Sequence, residues 1–348
     1  MYMDVRLLKK LLLAGLALLC IGCSPVVRVN DESVAALSQR SAVSYNEKNY
    51  PVTIENLNSK AEKEERVYRR PPARAVCVWQ NSIETLIALG VGDRIVGGMG
   101  IPDKKYLLPE NQSAYEKIPY TSRENLAVEN VLLMEPELVV GWHSTFSPKV
   151  LRGTDFWHQR GVETYIAPNS VPGRQKRLLE YEYQDILNLG RIFDREERAK
   201  EIVAKMQAEI DFVAKQTQGR TEKPRALCIE FMSKDISVYG ERTLVGDIMR
   251  RLGADHLAAK ELKLSNEQII ELDPDAIFVV IIESSYGNED MYLDRIRKHV
   301  ALRNLRCVRE NRIYPLPLYA IYSAGVRSYD GIKIIARGLY PELYREAK

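Results

Sequence analysis

Aromatic side chains recur where the sequence predicts that buried strands end. Trp79 closes one apolar run, Trp142 closes another, and Tyr319 follows a third that ends near Leu316. In parallel α/β sheets ligands bind beyond the carboxyl ends of the strands, so these side chains should share one cleft. Aromatic faces with a few polar groups suit a large, flat and partly apolar ligand. The predicted ligand-binding residues are Trp79, Gln80, Asn81, Gly100, Trp142, His143, Ser144, Phe146, Tyr239, Ser284, Tyr286, Tyr319, Tyr322 and Arg327.

Two of these residues carry chemistry of their own. His143 at the rim of a cleft could ligate haem iron or corrinoid cobalt as an axial ligand. Its alternative roles are a hydrogen-bonding rim residue or an ordinary surface histidine. Arg327 could pair with a carboxylate or phosphate of the ligand, and its alternative role is an arginine on a helix surface.

Signals for catalysis are weak in this sequence. Gly90-Val91-Gly92 lacks the third glycine of a dinucleotide-binding loop and precedes a predicted strand. The sequence contains no Gly-x-Ser-x-Gly elbow and no phosphate-binding P-loop. The four histidines are scattered, without the spacing of a zinc site. We therefore predict no catalytic residue, no dedicated metal site and no cofactor, and we expect the chain not to be an enzyme.

The N-terminus has the pattern of a lipoprotein signal peptide. Arg6, Lys9 and Lys10 precede the apolar run 11–19, which is too short to span a membrane. Gly22 is a small residue directly before Cys23, as a lipoprotein signal peptidase requires. We predict a signal peptide at 1–22, a lipid on Cys23 and a tether at 23–49. The protein would then be extracytoplasmic and anchored to the cell membrane.

Composition limits the classes of partner. The 348 residues carry a net charge of +3, and the basic residues are interspersed with acidic ones. Nucleic-acid binding needs a concentrated basic face, so we expect none. Cys77, Cys228 and Cys307 lie in or beside apolar runs with wide spacing, which predicts buried thiols.

Apolar strands alternate with helices through most of the chain, which predicts mostly parallel sheets covered on both faces. A leading hairpin is predicted near 50–68. An amphipathic helix, capped by Asp194, is predicted at 194–219, and the strand–helix pattern then restarts. The run 225–229 resembles 74–78, and 267–277 resembles 129–139. We predict an α/β fold of two Rossmann-like lobes, 50–193 and 220–348, joined by one long helix.

Glu129 and Glu267 occupy matching positions near two predicted helix starts. One interpretation is stabilisation of the helix dipole, which contributes under about 1 kcal/mol on a surface. The second helix already has a capping box, because Ser265 stands three residues before Gln268. The other interpretation is that exposed acids at matching places on two lobes engage basic pockets on two subunits of a partner.

The order of these motifs from about 71 to 346 resembles the helical-backbone (class III) periplasmic binding proteins of cobalamin, haem and ferric-siderophore ABC importers. The resemblance rests on 74–97, 129–140, 239–254, 267–277, 305–317 and 339–342. It implies a monomer that holds a metal chelate between two lobes, with little hinge closure. It also implies that Glu129 and Glu267 dock on the permease dimer, which works with a cytoplasmic ATPase. The chain departs from the family pattern in two places. Ala127 stands at the first-lobe position that corresponds to the helix cap Ser265 in the second lobe, and 157–191 is a long insert.

Two alternatives remain open. One is an anchored α/β enzyme acting on a tetrapyrrole or metal chelate, which needs several ionisable groups converging in the cleft. The predicted cleft offers only His143 and Arg327. The other is a binding protein for a free transition-metal ion, which needs three or four His, Asp or Glu ligands there.

Overall fold

The computed structural model describes residues 27–29, 44–173 and 175–345. Two α/β lobes are joined by one long helix, which confirms the predicted architecture. Residues 1–26, including the predicted lipid attachment site Cys23, lie outside the described residues. Within the described ranges, no helix is both long enough and apolar enough to cross a membrane.

The first lobe is built on a six-stranded sheet. The strands in chain order are β1 (Val27–Val29), β2 (Val52–Leu57), β3 (Lys63–Tyr68), β4 (Ala75–Val78), β5 (Ile95–Met99), β6 (Tyr120–Ser122), β7 (Leu138–Gly141) and β8 (Glu163–Ile166). The sheet order is β1-β6-β5-β4-β7-β8, and all neighbours are parallel except β1 with β6. Strands β4, β5 and β7 are buried throughout, because helices cover both faces. Strands β2 and β3 form the predicted hairpin.

In the described part of the chain, this lobe has five α-helices: α1 (Gln80–Ala88), α2 (Pro109–Glu116), α3 (Val128–Leu133), α4 (Thr154–His158) and α5 (Leu179–Ile192). The joining helix α6 (Glu196–Thr217) follows, and its 22 residues span about 33 Å. Its buried face, with Val203 and Met206, packs on α5 and on the last helix of the second lobe. Asp194 does not cap α6, contrary to the prediction. Its carboxylate instead accepts hydrogen bonds from Asn46 N at 2.8 Å and Asn49 Nδ2 at 2.7 Å.

The second lobe has a mixed sheet. Its strands are β9 (Arg225–Met232), β10 (Asp235–Val238), β11 (Asp255–His256), β12 (Lys263–Leu264), β13 (Ala276–Ile281) and β14 (Ile313–Pro317). Its helices are α7 (Leu244–Arg251), α8 (Asn266–Leu272), α9 (Glu289–Arg297), α10 (Arg306–Arg309) and α11 (Ser328–Leu339). The order is β12-β10-β9-β13-β14, with β11 also on β9. Strand β10 runs antiparallel to β9, because only two residues join them, and β12 pairs antiparallel with β10.

Two parts of the chain differ from the predicted boundaries. The predicted tether joins the fold at two places, because β1 pairs with β6 and Asn46 contacts Asp194. The insert 157–191 contains most of α5, which lies between the lobes. There Leu179 N donates to Asp247 of the second lobe at 2.9 Å. The three cysteines Cys77, Cys228 and Cys307 are free and buried, as predicted.

The resemblance between 74–78 and 225–229 includes an arginine, Arg74 or Arg225, that makes equivalent hydrogen bonds in each lobe. The guanidinium of Arg74 donates to the carbonyls of Met134 and Glu135 after α3. That of Arg225 donates to Leu272 O at 2.7 Å and to Asp273 O at 3.2 Å after α8. Arg74 directly precedes the central strand β4 and Arg225 is the first residue of the central strand β9. Each arginine satisfies the carboxyl end of the helix that precedes the neighbouring strand.

A buried hydrogen-bond and ion-pair network connects the two lobes. Glu84 of α1 accepts from Arg327 Nη1 of the second lobe at 2.7 Å, and both side chains are almost fully buried. Glu182 of α5 accepts from Gly325 N at 2.6 Å and from Asn169 Nδ2 at 2.6 Å. Gly325 has φ +55°, and a Cβ there would lie 2.5 Å from Thr85 Oγ1, so only glycine allows this close approach.

Replacing Arg225 with Met should lower the free energy of unfolding by about 2 kcal/mol, because two charge-assisted hydrogen bonds to helix carbonyls are lost. Urea unfolding followed by circular dichroism measures this change. Arg303→Met, at an exposed position of the same lobe, is the matched control and should change stability little. Equal stability of the two variants would contradict the role given to Arg225.

Stability should fall as pH rises between about 4.5 and 7. Burial raises the pKa of Glu182 to about 7, and the neighbouring Asp185 carboxyl, near Tyr165, also has a raised pKa because of burial. In this window the folded protein holds the proton on Glu182 and the unfolded chain does not, so ionisation destabilises the fold. Glu182→Gln should reduce the slope of unfolding free energy against pH, by up to about 3 kcal/mol over the window. The exposed Glu65→Gln should leave the slope unchanged, and an unaltered slope in Glu182→Gln would refute the assignment.

Candidate functional site

The candidate site is a cavity between the lobes, at the carboxyl ends of both sheets. Strands β4 and β7 end directly before Trp79 and Trp142, and β14 ends directly before Leu318. The two lobes therefore face each other with the ends that bind ligands in open α/β sheets. The cavity has a volume of about 20 Å³ and is lined by Trp79, Gln80, Asn81, Gly100, Trp142, Glu283, Leu318, Tyr319, Tyr322 and Ser323.

Aromatic rings form the wall of this cavity. The indoles of Trp79 and Trp142 stack, with centroids 5.0 Å apart and planes at 24°. Trp142 also meets Tyr322 of the second lobe edge to face at 5.2 Å. Its Nε1 donates to Asn81 Oδ1 at 2.9 Å, which holds the indole in place. The rings thus present a continuous aromatic surface that crosses from one lobe to the other.

The backbone around Trp79 is strained at this site. Trp79 has φ +75°, which is unfavourable for a bulky side chain, and its N–H donates to Met99 O at 2.8 Å. Gly100 has φ +88°, and a Cβ there would lie 2.7 Å from Trp79 Cε3. A glycine is therefore required at position 100 for the indole to lie across the cavity. Such strain is typical of ligand-binding positions.

Two ring nitrogens near the cavity have no hydrogen-bond partner among the described residues. They are the buried Nε1 of Trp79 and the buried Nε2 of His143. The backbone N–H of His143 donates to Ser170 Oγ at 2.8 Å, which fixes the short turn 143–146. His143 itself is not among the residues that line the cavity.

The charge at the cavity comes from acidic groups. Burial raises the pKa of the lining residue Glu283, and the charge of the nearby Glu230 adds to this effect. Glu230 accepts the hydroxyl of Tyr239 at 2.8 Å. The guanidinium of Arg177 lies behind Tyr322, 4.6 Å from the ring centroid, and donates to its hydroxyl at 3.2 Å. Sequence reasoning missed Glu283, although it follows β13 by one residue and adjoins the predicted Ser284.

Seven predicted residues line the cavity: Trp79, Gln80, Asn81, Gly100, Trp142, Tyr319 and Tyr322. Others do not. Ser144 and Ser284 are exposed and are not among the lining residues. Tyr239 is turned to Glu230 by its hydrogen bond.

Three predicted ligand contacts have structural roles instead. Phe146 is only 1% exposed and packs in the core of the first lobe. Tyr286 packs against Tyr106 and Tyr319, with centroid distances of 4.7 and 5.3 Å, and it belongs to the core of the second lobe. Arg327 is 4% exposed, and its guanidinium pairs with Glu84 and Asp330 and does not line the cavity.

Glu129 and Glu267 occupy equivalent places in the two lobes. Each is the exposed second residue of its helix, Glu129 in α3 and Glu267 in α8. The capping box of Ser265 and Gln268 is present as predicted, and Ala127 gives α3 no side-chain cap. Hydrogen bonds from its own backbone N–H and from the Ser265 hydroxyl lower the pKa of Glu267.

Metal ligands are not gathered in the described part of the chain. No group of three or more His, Cys, Asp or Glu side chains there is arranged to hold an ion. The cavity can therefore recognise a molecule by its aromatic surface, its amides and one carboxylate.

Comparisons with known proteins agree with this geometry. The family model described as Periplasmic binding protein matches residues 76–320. The uncharacterised ABC transporter substrate-binding lipoprotein YvrC of Bacillus subtilis is 22% identical over 303 residues, which cover 85% of this chain and 88% of YvrC. The crystal structure of a periplasmic binding protein from Veillonella parvula is 40% identical, with a TM-score of 0.84, covering 88% of this chain and 96% of that one.

A third relative shares the fold at lower identity. The crystal structure of an ABC-type Fe³⁺-hydroxamate transport system from Saccharomonospora viridis is 22% identical, with a TM-score of 0.65, covering 84% of this chain and 99% of that one. The family match covers well over half of the chain and includes most residues of the cavity. The chain therefore belongs to the periplasmic binding protein family, in the helical-backbone class of substrate-binding proteins of ABC importers.

Proposed function

We propose that this protein captures a large metal chelate, a ferric siderophore, haem or cobalamin, between its lobes and delivers it to the permease dimer of an ABC importer. The observation that carries the proposal is the aromatic wall of Trp79, Trp142 and Tyr322, which is shared by both lobes. Its extended π surface complements a flat or aromatic ligand better than a small polar solute. The Fe³⁺-hydroxamate system that shares the fold supports an iron chelate.

Ligand entry requires the aromatic rings to move. The cavity volume of about 20 Å³ is far below the roughly 300–1,000 Å³ typical of pockets for small molecules. The indole of Trp142 is held by stacking and by one hydrogen bond to Asn81, and both can be replaced by contacts with a ligand. The buried network at Glu84 and Arg327 restrains the lobes, so we expect side-chain movement to exceed lobe movement.

Exposed acids and aliphatic side chains together suggest how the permease is recognised. Leu133, which is 82% exposed, lies one turn after Glu129, and the exposed Ile270 lies one turn after Glu267. A carboxylate beside an exposed aliphatic group on each lobe suits two basic pockets on a two-fold permease. We propose that the full chain is held at the extracytoplasmic membrane surface by a lipid on Cys23 and acts as a monomer.

Trp142→Ala should weaken chelate binding about tenfold or more, because a stacking surface is lost. The full-length chain in mild detergent is titrated with haemin, cobalamin and ferric siderophores, and binding is followed by calorimetry and by tryptophan fluorescence. Two of the three tryptophans line the cavity, and the third, Trp157, is buried in the core. Phe212→Ala on the exposed face of α6 is the control. The cavity assignment fails if Trp142→Ala binds as tightly as the parent, and the proposed function fails if no chelate binds.

Reversing the charge of Glu129 and Glu267 to Lys should abolish chelate uptake by cells and leave the Kd of the purified protein unchanged. The reason is that a lysine would repel a basic pocket of the permease. Uptake of radiolabelled chelate and calorimetry measure the two effects. Glu110→Lys on α2 and Glu310→Lys directly after α10, both exposed and in the same two lobes, are matched controls and should transport normally. A loss of ligand affinity in the double variant would show that these acids do not act in docking.

A further inference from the structure

Glu283 is the one charged side chain among the described residues that line the cavity. It begins the short turn Glu283–Ser285 directly after β13 and Ile282, at the second-lobe edge of the aromatic wall. The other lining residues are aromatic, aliphatic, amide, hydroxyl or glycine. A half-buried carboxylate in such surroundings is costly unless a ligand supplies a compensating charge or hydrogen-bond donors.

The charges behind the cavity leave this acidic character in place. Glu230 adds a second carboxylate near Glu283, and it accepts the hydroxyl of Tyr239. Arg327 lies behind Tyr319, 4.1 Å from the ring centroid, but it is neutralised by two carboxylates, Glu84 and Asp330.

The positive charge of Arg177 lies near the cavity and partly offsets the negative charge of Glu283. Arg177 stands behind Tyr322 and not among the lining residues, and it donates to the Tyr322 hydroxyl and to Asn169 O. Its charge therefore reaches the cavity through the ring of Tyr322, whereas Glu283 lines the cavity directly. The net charge of the side chains that line the cavity is therefore negative.

Resting on the proposed function above, we propose that the cleft selects chelates that present a cationic group to Glu283 and discriminates against anionic chelates. The combination of tryptophan and tyrosine faces with a carboxylate is the chemistry that recognises cations: the rings attract an ammonium group and the carboxylate pairs with it. An anionic chelate would place like charges together in a site from which water is largely excluded, and this is unfavourable. The same surface accepts the apolar body of either chelate, so charge decides between them.

Three ferric chelates with an identical iron centre test the inference. Ferrioxamine B carries a terminal ammonium group, its N-acetyl derivative is neutral at that end, and its N-succinyl derivative is anionic. We expect the Kd of the full-length protein to rise about tenfold from the cationic to the neutral chelate, and again to the anionic one. Glu283→Gln should bring the three Kd values within about threefold of each other. Asp290→Asn, which removes an exposed charge from the same lobe, should preserve their order.

The outcomes separate this inference from the function on which it rests. Equal or tighter binding of the anionic chelate, or an unchanged order in Glu283→Gln, overturns the charge selection while chelate binding stands. If none of the three binds but haemin or another anionic chelate does, the charge selection is likewise wrong. Failure of every ferric chelate, haemin and cobalamin to bind overturns the proposed function and the inference together. Thermal unfolding of each variant shows that differences in Kd do not arise from misfolding.

Discussion

The relative position of the two lobes depends on the buried ion pair between Glu84 of the first lobe and Arg327 of the second. Besides Arg327, the Glu84 carboxylate accepts from Gln80 Nε2, Leu108 N and Asn111 Nδ2 at 2.7–3.0 Å. Removing one partner of such a pair costs about 3–5 kcal/mol, because the remaining charge stays buried. The attraction stabilises little by itself, since both charges must leave water. Its effect is geometric: Gln80, Leu108 and Asn111 of the first lobe fix the Glu84 carboxylate, and Arg327 brings the second lobe against it.

This constraint shapes how the cleft works. Two further contacts connect the lobes: Glu182 accepts a hydrogen bond from Gly325 N, and helix α6 packs against helices of both lobes. We therefore expect the cleft to keep a nearly constant width and the aromatic side chains that line it to move more than the lobes. In the proposed function, ligand recognition would depend on the side chains that line the cleft, above all the stacked rings of Trp79 and Trp142 and the carboxylate of Glu283. Restricted lobe motion would also keep Glu129 and Glu267 at a constant separation, as the proposed docking on a symmetric partner requires.

The fold was largely predictable, because periodic apolar runs and the restart of the pattern after α6 are local features. Arg74 and Arg225 repeat in sequence because each must satisfy the end of a helix in its own lobe. The antiparallel strands β10 and β12 were missed, since short polar strands at a sheet edge carry little apolar signal. The prediction that Asp194 caps α6 was wrong, because Asn46 and Asn49, which are distant in sequence, donate hydrogen bonds to its carboxylate.

For the site, the sequence by itself determined that aromatic side chains stand at the ends of parallel strands, and this placed Trp79, Trp142 and Tyr322 at one cavity. It also determined the glycine at position 100, although its reason, the close approach of the Trp79 ring, is visible only in three dimensions. Only the tertiary structure shows that Phe146 packs in the core of the first lobe and that Arg327 forms a buried ion pair with Glu84. The physical reason is that strand order and residue type are set by local pattern. Whether a side chain faces a ligand, a core or an opposite charge depends on partners distant in sequence.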